Sequence, residues 1–297
     1  MKKIALIGLG RWGKNLVREF SNVSLITKCH TKGNQTNIRW LKKHYPEIKW
    51  VKDRIDIFSD PTIDAVIIST PITTHFKLAK ECLDNGKHVF IEKPMAETTA
   101  QSRKLISIAK TNKVQLFVGH VFLYSQNFKK ILEVTKSRKI KYVQFDWKKL
   151  GTFDEDIFKN LLTHDLSLSI ELLGMPKKIN LLQNLGIITS SDIISIKLYY
   201  NDNKICNIKI DRTSNFKKKT ITVITEKNLY QWEDDILLRL QNKSKTYKQI
   251  FQQTETPLAV ECKEFIKSIS KPNISYHSAT LALNVNVLID RIIRQRK

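Results

Sequence analysis

Three glycines near the N-terminus, Gly8, Gly10 and Gly13, have the spacing of a phosphate-binding loop. They directly follow an apolar run at residues 4–7, which predicts a buried strand that ends in a tight turn and continues into a helix. In such a loop the first glycine permits the turn, the second lets the backbone approach a pyrophosphate, and the third lets the helix pack closely on the strand. The N–H groups and the dipole at the start of that helix would face the phosphates. Because the motif follows a strand, dinucleotide binding is favoured over a purely structural turn.

Two further side chains have the chemistry that proton transfer needs. Lys93 follows a predicted strand at residues 87–91, and doubly wound sheets bind their ligands at the carboxyl ends of parallel strands. An ammonium at that place can hydrogen-bond a reacting oxygen and stabilise its developing negative charge. His164 has an ordinary pKa of about 6.5, so it can accept and return a proton near neutral pH. The alternative interpretation of Lys93 is a solvated loop lysine.

The elements that would position these groups alternate strand and helix over residues 1–119, which is typical of a doubly wound parallel sheet. The predicted strands lie at 4–7, 23–29, 48–51, 64–69, 87–91 and 114–119. Between them, four helices are predicted. The first runs from 11 to about 21, and the second carries Ile38, Leu41 and Tyr45 on one face and stops before Pro46. The others lie over 74–85 and 98–110.

Beyond residue 120 the pattern changes to consecutive strands joined by short turns, which indicates an antiparallel sheet. Helices are predicted over 125–137 and 155–173 and strands over 141–148, 178–188, 192–200, 204–212, 218–225 and 229–233. Two last helices, 257–270 and 277–296, are expected to pack back against the first domain. The fold class is therefore α/β: a Rossmann domain at 1–119 and an α+β domain at 120–297 with a large, mostly antiparallel open sheet. An open sheet of this kind predicts a homodimer or homotetramer.

The composition narrows the function classes. The formal net charge is +23, but the densest basic clusters, at 136–141, 217–219 and 291–297, are short and lack interleaved aromatic residues. We interpret them as a solvated lysine-rich surface, and expect no specific nucleic-acid partner. No apolar run approaches the roughly 20 residues that span a bilayer, so a cytoplasmic protein without membrane contact is expected. The four cysteines, far apart and without histidine pairing, predict neither disulfides nor a metal site.

The end of the second predicted strand decides cofactor choice in this fold, because an Asp or Glu there binds the ribose 2′-hydroxyl and disfavours a 2′-phosphate. This chain has His30, Thr31 and Lys32 instead. A cation and a hydroxyl without a carboxylate favour NADP over NAD. An ordinary polar turn is the alternative.

Several further stretches resemble the glucose-fructose oxidoreductase and inositol dehydrogenase (Gfo/Idh/MocA) superfamily. They are Ser69-Thr70-Pro71-Ile72-Thr73-Thr74-His75, Gly86 to Pro94 with its Glu92-Lys93-Pro94 element, Gly119-His120-Val121-Phe122-Leu123-Tyr124, His164-Asp165, and Glu255-Thr256-Pro257-Leu258 followed by Glu261 and Phe265. The resemblance covers essentially the whole chain in the same order. The stretch from Gly119 to Tyr124 is most similar to the branch that oxidises amino sugars or nucleotide sugars at carbon 3.

The resemblance implies site residues. The cofactor would be held by the glycine loop with its Arg11 and Trp12, by His30 to Lys32, and by Thr70, Pro71, His75, Glu92 and Lys93, while His120, Tyr124, Asn160 and His164 would contact the sugar. The resemblance makes His164 the general base, usually preceded four residues earlier by a catalytic aspartate. Asn160 stands at that position here, and an amide orients a hydroxyl but cannot take its proton. Asp165 is expected either to orient His164 or to cap the helix.

Two functions follow as hypotheses. The first is an NAD(P)-dependent oxidoreductase that transfers hydride between a sugar, amino-sugar, nucleotide-sugar or cyclitol carbon and nicotinamide, while Lys93 and His164 handle the hydroxyl proton. The second is a catalytically weak or inactive sensor of the same fold, which Asn160 favours. Reduction of an imine or open-chain carbonyl is a variant of the first that differs in substrate.

Overall fold

A computed structural model describes residues 1–271 and 273–296 of the chain. The chain forms two compact units: Met1–His120 with Leu258–Leu283, and Val121–Pro257 with Asn284–Lys297. We refer to them as unit 1 and unit 2. The sequence instead predicts one break after residue 119.

Unit 1 contains a six-stranded parallel sheet with the order β3-β2-β1-β4-β5-β6. Its strands are β1 (Lys3–Ile7), β2 (Leu25–His30), β3 (Lys49–Val51), β4 (Ala65–Ile68), β5 (His88–Glu92) and β6 (Leu116–Gly119). Its first five helices are α1 (Arg11–Ser21), α2 (Gln35–His44), α3 (Ile55–Phe58), α4 (Ile72–Asp84) and α5 (Thr99–Thr111). Every residue of β4 and β6 is buried, as expected for strands covered on both faces. The doubly wound Rossmann sheet is confirmed.

Unit 2 contains an eight-stranded sheet with the order β14-β13-β12-β11-β7-β10-β9-β8. The strands are β7 (Ile140–Leu150), β8 (Lys178–Leu185), β9 (Ile193–Tyr199), β10 (Ile205–Asp211), β11 (Thr213–Thr225), β12 (Asn228–Glu233), β13 (Ile236–Gln241) and β14 (Lys248–Gln252). All neighbours are antiparallel except β7 and β10, so the mostly antiparallel open sheet is confirmed. The sequence prediction missed β13 and β14. It also started β11 five residues late, because Thr213, Ser214 and Asn215 at the start of that strand are all polar.

Two helices of unit 2 are α6 (Gln126–Thr135) and α7 (Thr163–Leu173). The predicted helix over 155–173 is wrong in its first part: a π-helical turn at Phe158–Leu162 precedes α7. The hydroxyl of Thr163 bonds the carbonyl oxygens of Lys159 at 2.7 Å and Phe158 at 3.3 Å. Single π-turns of this kind occur frequently at functional sites.

The last two helices are α8 (Pro257–Ser268) and α9 (His277–Ile293). Phe265 of α8 packs in the core of unit 1, where its ring centroid lies 5.5 Å from those of Phe90 and Phe117 and 5.9 Å from that of Phe20. The edge-on and tilted arrangement of these rings adds to the apolar area that they bury. This cluster anchors α8 to unit 1.

Candidate active site

The three glycines of the loop differ in the space around their Cβ positions. Gly8 has a φ of +106°, and a Cβ added to it would lie 2.2 Å from the carbonyl oxygen of Ser69. A Cβ on Gly13 would lie 2.1 Å from the carbonyl oxygen of Gly8. Gly10 has no heavy atom within 4 Å of its Cβ position. The first and third glycines therefore permit close backbone packing, and the second leaves room for a phosphate.

A cavity of about 690 Å³ extends along the carboxyl edge of this sheet. Of the predicted cofactor contacts, Gly8, Gly10, His30, Thr31, Lys32, Thr70 and Pro71 line it. Three cations, Lys32, Arg54 and Lys77, also line it, and no Asp or Glu does. The cavity has the glycine edge, the helix start and the positive charge that a dinucleotide requires.

The ring of His30, a predicted cofactor contact, bonds to the neighbouring strand β3. Its Nδ1 lies 3.2 Å from the carbonyl oxygen of Val51, and because a carbonyl only accepts, Nδ1 carries the proton. Burial lowers the pKa of His30, so its ring is neutral near pH 7 and Nε2 is an acceptor. The cation that the sequence predicts at the end of β2 is therefore Lys32, and the predicted cofactor contact of His30 stays a prediction.

The predicted catalytic strand end lies at the carboxyl end of β5. Trp12 of the glycine loop donates its indole N–H to Oε1 of Glu92 at 2.6 Å, which ties the loop to the residue before Lys93. Burial raises the pKa of Glu92 to about 7, and the Trp12 bond and the charge of Lys93 oppose that shift. The Lys93–Pro94 peptide bond is cis. Arg11, Trp12, Glu92 and Lys93 are not among the residues that line the cavity.

A second carboxyl group, Glu261 of α8, lies near Glu92. It is 0% exposed, and neither carboxyl oxygen has a hydrogen-bond partner within the part of the chain that the structure describes. Burial and the charge of Glu92 raise its pKa well above the ordinary value. Burial and the neighbouring Glu92 thus both favour the neutral form of the Glu261 carboxyl.

His75 is 1% exposed, and its two ring nitrogens lie 2.8 Å from the carbonyl oxygens of Pro94 and Thr70. Burial lowers its pKa, and the two carbonyl contacts oppose that shift. The ring thus lies between the Thr70 loop and the Lys93-Pro94 turn. The predicted cofactor contact of His75 stays a prediction.

His120 is also nearly inaccessible, at 1% exposure. Burial and the charge of Lys93 lower its pKa to about 3, so the ring is neutral near pH 7. Its two nitrogens have no hydrogen-bond partner among the described residues. Its predicted sugar contact stays a prediction.

In unit 2, His164 lies in the first turn of α7 and is 8% exposed. Its ring centroid lies 5.0 Å from that of Phe122 and 5.7 Å from that of Trp147. The two aromatic rings fix the plane of the imidazole. Asn160 is half-buried in the preceding π-turn, and Tyr124 is half-buried at the end of a 3-10 turn.

The sequence prediction missed Lys219. Its ammonium lies 3.8 Å from the ring centroids of Phe122 and Trp147, the rings that contact His164. Its Nζ is 2.9 Å from Oδ1 of Asp165, whose side chain is 0% exposed. Asp165 therefore forms a buried ion pair. Of its two predicted roles, the cap is wrong because α7 has no side-chain cap, and the orientation of His164 stays a prediction.

Lys219 is also an exception to the solvated surface that was inferred for 217–219. The alternation of side chains along β11 could have indicated this. Lys219 lies on the same face of the strand as the buried Ile221 and Val223, and the exposed Lys218 lies on the other face. Lys219 pairs across the strands with Trp147 of β7. A charged residue in an inward row indicates a buried partner.

Within residues 1–271 and 273–296, no group of three His, Cys, Asp or Glu side chains is placed to hold a metal ion. All four cysteines are buried free thiols. None of the helices in the described ranges has the length and apolar character needed to cross a bilayer.

Residues 2–120 match the family described as oxidoreductase family, NAD-binding Rossmann fold (GFO_IDH_MocA). Myo-inositol 2-dehydrogenase of Thermotoga maritima is 30% identical over 136 residues, which are 46% of this chain and 41% of that protein. The NADP(+)-dependent scyllo-inositol 2-dehydrogenase of Bacillus subtilis is 30% identical over 154 residues, or 47% of this chain and 43% of that protein. The matched segments thus span less than half the length of these relatives.

The likeness in fold extends further. The solved structure of UDP-N-acetylglucosamine 3-dehydrogenase from Acidithiobacillus ferrooxidans superposes with a TM-score of 0.90, at 17% identity, over 98% of this chain and 96% of that one. The chain therefore has the fold of that solved structure over nearly its whole length.

Proposed function

We propose that this chain, a member of the Gfo/Idh/MocA oxidoreductase family, is an NAD(P)-dependent dehydrogenase. It would transfer hydride between nicotinamide and a hydroxyl-bearing carbon of a sugar, an amino or nucleotide sugar, or a cyclitol. The observation that carries the proposal is the end of β5, where Glu92 precedes Lys93 and bonds Trp12 of the glycine loop. The substrate class is supported by the names of the relatives, which act on inositols and UDP-N-acetylglucosamine.

The residues present fit a dinucleotide. The open Cβ side of Gly10, the start of α1 and the 690 Å³ cavity provide a pyrophosphate edge and volume. Bound NAD(P)⁺ supplies the hydride acceptor. Lys93 donates a hydrogen bond to the substrate hydroxyl oxygen, which stabilises the negative charge that develops as the hydride leaves. His164 accepts the hydroxyl proton.

Two arrangements prepare these groups. The Trp12 to Glu92 hydrogen bond and the His75 contacts hold the backbone on either side of Lys93. The rings of Phe122 and Trp147 orient the imidazole of His164. The backbone around Lys93 and the imidazole of His164 are therefore held before a ligand binds, which lowers the cost of reaching the reactive geometry.

We infer a preference for NADP(H). The cavity has no carboxylate to accept a ribose 2′-hydroxyl or to repel a 2′-phosphate, and Lys32 lines it directly after β2. Both NAD(+) and NADP(+) forms occur among the relatives.

Replacement of Lys93 tests the assignment. Wild-type protein is titrated with NADH and NADPH and then assayed with myo-inositol, scyllo-inositol and UDP-N-acetylglucosamine at the nicotinamide absorbance band. Lys93→Met should reduce turnover by about 100-fold or more, the usual contribution of a positioned acid or base, while the cofactor Kd changes little. Lys80→Met, which removes an exposed lysine paired with Asp84, is the matched control. Full turnover in Lys93→Met would refute the role of Lys93.

A second candidate function, a sensor that binds cofactor and sugar without turnover, is favoured by Asn160. An amide at that position takes no proton. If the sensor interpretation is correct, wild-type protein binds cofactor and sugar without a change in absorbance, and Asn160→Asp gains turnover. Substrate-dependent absorbance change in the wild type rejects it.

We also infer a homodimer or homotetramer. Unit 2 exposes large apolar side chains, with Leu150 at 63%, Ile187 at 69%, Ile188 at 59% and Phe216 at 51% exposure. Apolar side chains of this number and size in one unit favour association with a second copy.

A further inference from the structure

One end of the cavity carries a charge arrangement that the glycine loop does not explain. Around the end of β2 the lining consists of His30, Thr31, Lys32, Asn34 and Arg54. Asn34 has its side-chain oxygen occupied, because it accepts the backbone N–H of Asn37 at 3.0 Å as the cap of α2. His30 is neutral, as shown above. Two cations, Lys32 and Arg54, therefore supply the positive charge at this end.

Arg54 comes from the loop after β3, not from the end of β2 where cofactor choice is usually decided. It is half-buried, precedes α3 and lines the cavity. Its positive charge is one of the causes that lower the pKa of His30. Arg54, His30 and Lys32 line the same cavity, so a ligand that contacts the end of β2 is within the same lining as Arg54.

The guanidinium of Arg54 has no hydrogen bond or ion pair to any residue within the described ranges. The neighbouring carboxylate of Asp53 instead accepts the backbone N–H of Ile55 at 3.0 Å. A half-buried arginine without a carboxylate partner, beside a cavity that has no acidic lining, has its donors available for an anionic ligand. Its planar fork matches the geometry of a phosphate and can bind two oxygens at once.

We propose that Arg54 is the main determinant of cofactor choice: it binds the 2′-phosphate of NADP(H) through its guanidinium, and Lys32 provides a second charge. This inference rests on the proposed function only in that the cavity binds a dinucleotide. The neutral His30 offers Nε2 as an acceptor, which suits a ribose hydroxyl and not a phosphate. Without Arg54 the site therefore reverts to comparable binding of the two cofactors.

The experiment measures Kd by fluorescence for NADPH and NADH, and by calorimetry for 2′,5′-ADP and 5′-ADP, at one fixed ionic strength. Arg54→Gln should weaken NADPH and 2′,5′-ADP by about 10- to 100-fold, the range of a hydrogen bond to a charged group. NADH and 5′-ADP should change by less than about threefold, because they lack the phosphate. Arg54→Lys should recover part of the NADPH affinity, since it keeps the charge and loses the fork.

Arg39→Gln is the matched control, because Arg39 lies on α2, is exposed, and bonds only the carbonyl oxygen of Gln35. It should leave both affinities unchanged. If Arg54→Gln weakens the binding of NADH and NADPH equally, Arg54 contacts a part of the cofactor that the two molecules share, and the proposal is overturned. If the wild type binds NADH as tightly as NADPH, the proposal also fails, while the dinucleotide site stands. If the wild type binds neither, the proposed function itself fails.

Discussion

Removal of Lys219 should destabilise unit 2 strongly, because it leaves a carboxylate buried without its partner. Asp165 is fully buried and its Oδ1 lies 2.9 Å from Nζ of Lys219. In the variant Lys219→Met the methionine fills similar volume over Phe122 and Trp147, so that the main change is electrostatic. Loss of one partner of a buried pair costs about 3–5 kcal/mol. For a unit of this size, that corresponds to a fall in Tm of about 6–20 °C.

The pH dependence gives a stricter test. Burial raises the pKa of Asp165, and Lys219 opposes that rise. In Lys219→Met the opposing charge is absent, so the folded pKa of Asp165 rises further above the unfolded value of about 3.9. The folded state then binds more protons than the unfolded state, and stability falls as pH rises between the two values. The deficit in Tm relative to the wild type should therefore be largest above neutral pH and shrink towards about pH 4.

The assay is differential scanning fluorimetry of wild type and variants between pH 4 and pH 8. The double variant Lys219→Met with Asp165→Leu removes both charges and should recover most of the lost stability, because apolar replacements of a buried pair are often neutral or better. Lys218→Met is the control, since the neighbouring Lys218 pairs at the surface with Glu233 and should leave Tm near the wild-type value. An unchanged Tm in Lys219→Met at pH 8, or a deficit that is independent of pH, would refute the reasoning.

Three further predictions concern other parts of the chain. Gly10→Ala should keep Tm near the wild-type value but weaken cofactor binding at least about tenfold. Gly13→Ala should lower Tm, because its Cβ would lie 2.1 Å from a backbone oxygen. Equal Tm values for the two variants would contradict these different roles of the two glycines. Burial and the charge of Glu92 raise the pKa of Glu261, so this group makes stability fall as pH rises above its unfolded pKa of about 4.3. Glu261→Gln removes the titrating group, and its Tm should decline less with rising pH than that of the wild type. Light scattering after gel filtration should give a mass two or four times 34.6 kDa, and a monomer at micromolar concentration would reject the oligomer.

The sequence was sufficient where neighbouring residues define the chemistry. The glycine spacing after the run at 4–7 predicted the first strand, the loop and the start of α1, and the structure contains all three. Contacts between residues that lie far apart in the sequence could not be predicted in this way. Nothing near His30 in the sequence indicates that the carbonyl oxygen of Val51 in β3 would accept a hydrogen bond from its Nδ1. Nothing near Arg54 indicates that its loop would line the same cavity. These facts depend on strand order, which periodicity does not determine.

Lys219 shows how a correct compositional argument can conceal a functional contact. A cluster of three lysines in a chain with 51 basic residues is reasonably interpreted as solvated surface, and for Lys218 this holds. Side chains alternate between the two faces of a strand, so the side chain of the next residue, Lys219, points inward. Its ammonium pairs with Asp165, which follows His164 in the sequence. The charge of Lys219 opposes the rise that burial causes in the pKa of Asp165. The electrostatic surroundings of the proposed base thus depend on a strand more than fifty residues away in sequence, and they follow from the alternation of that strand once its register with Trp147 is known.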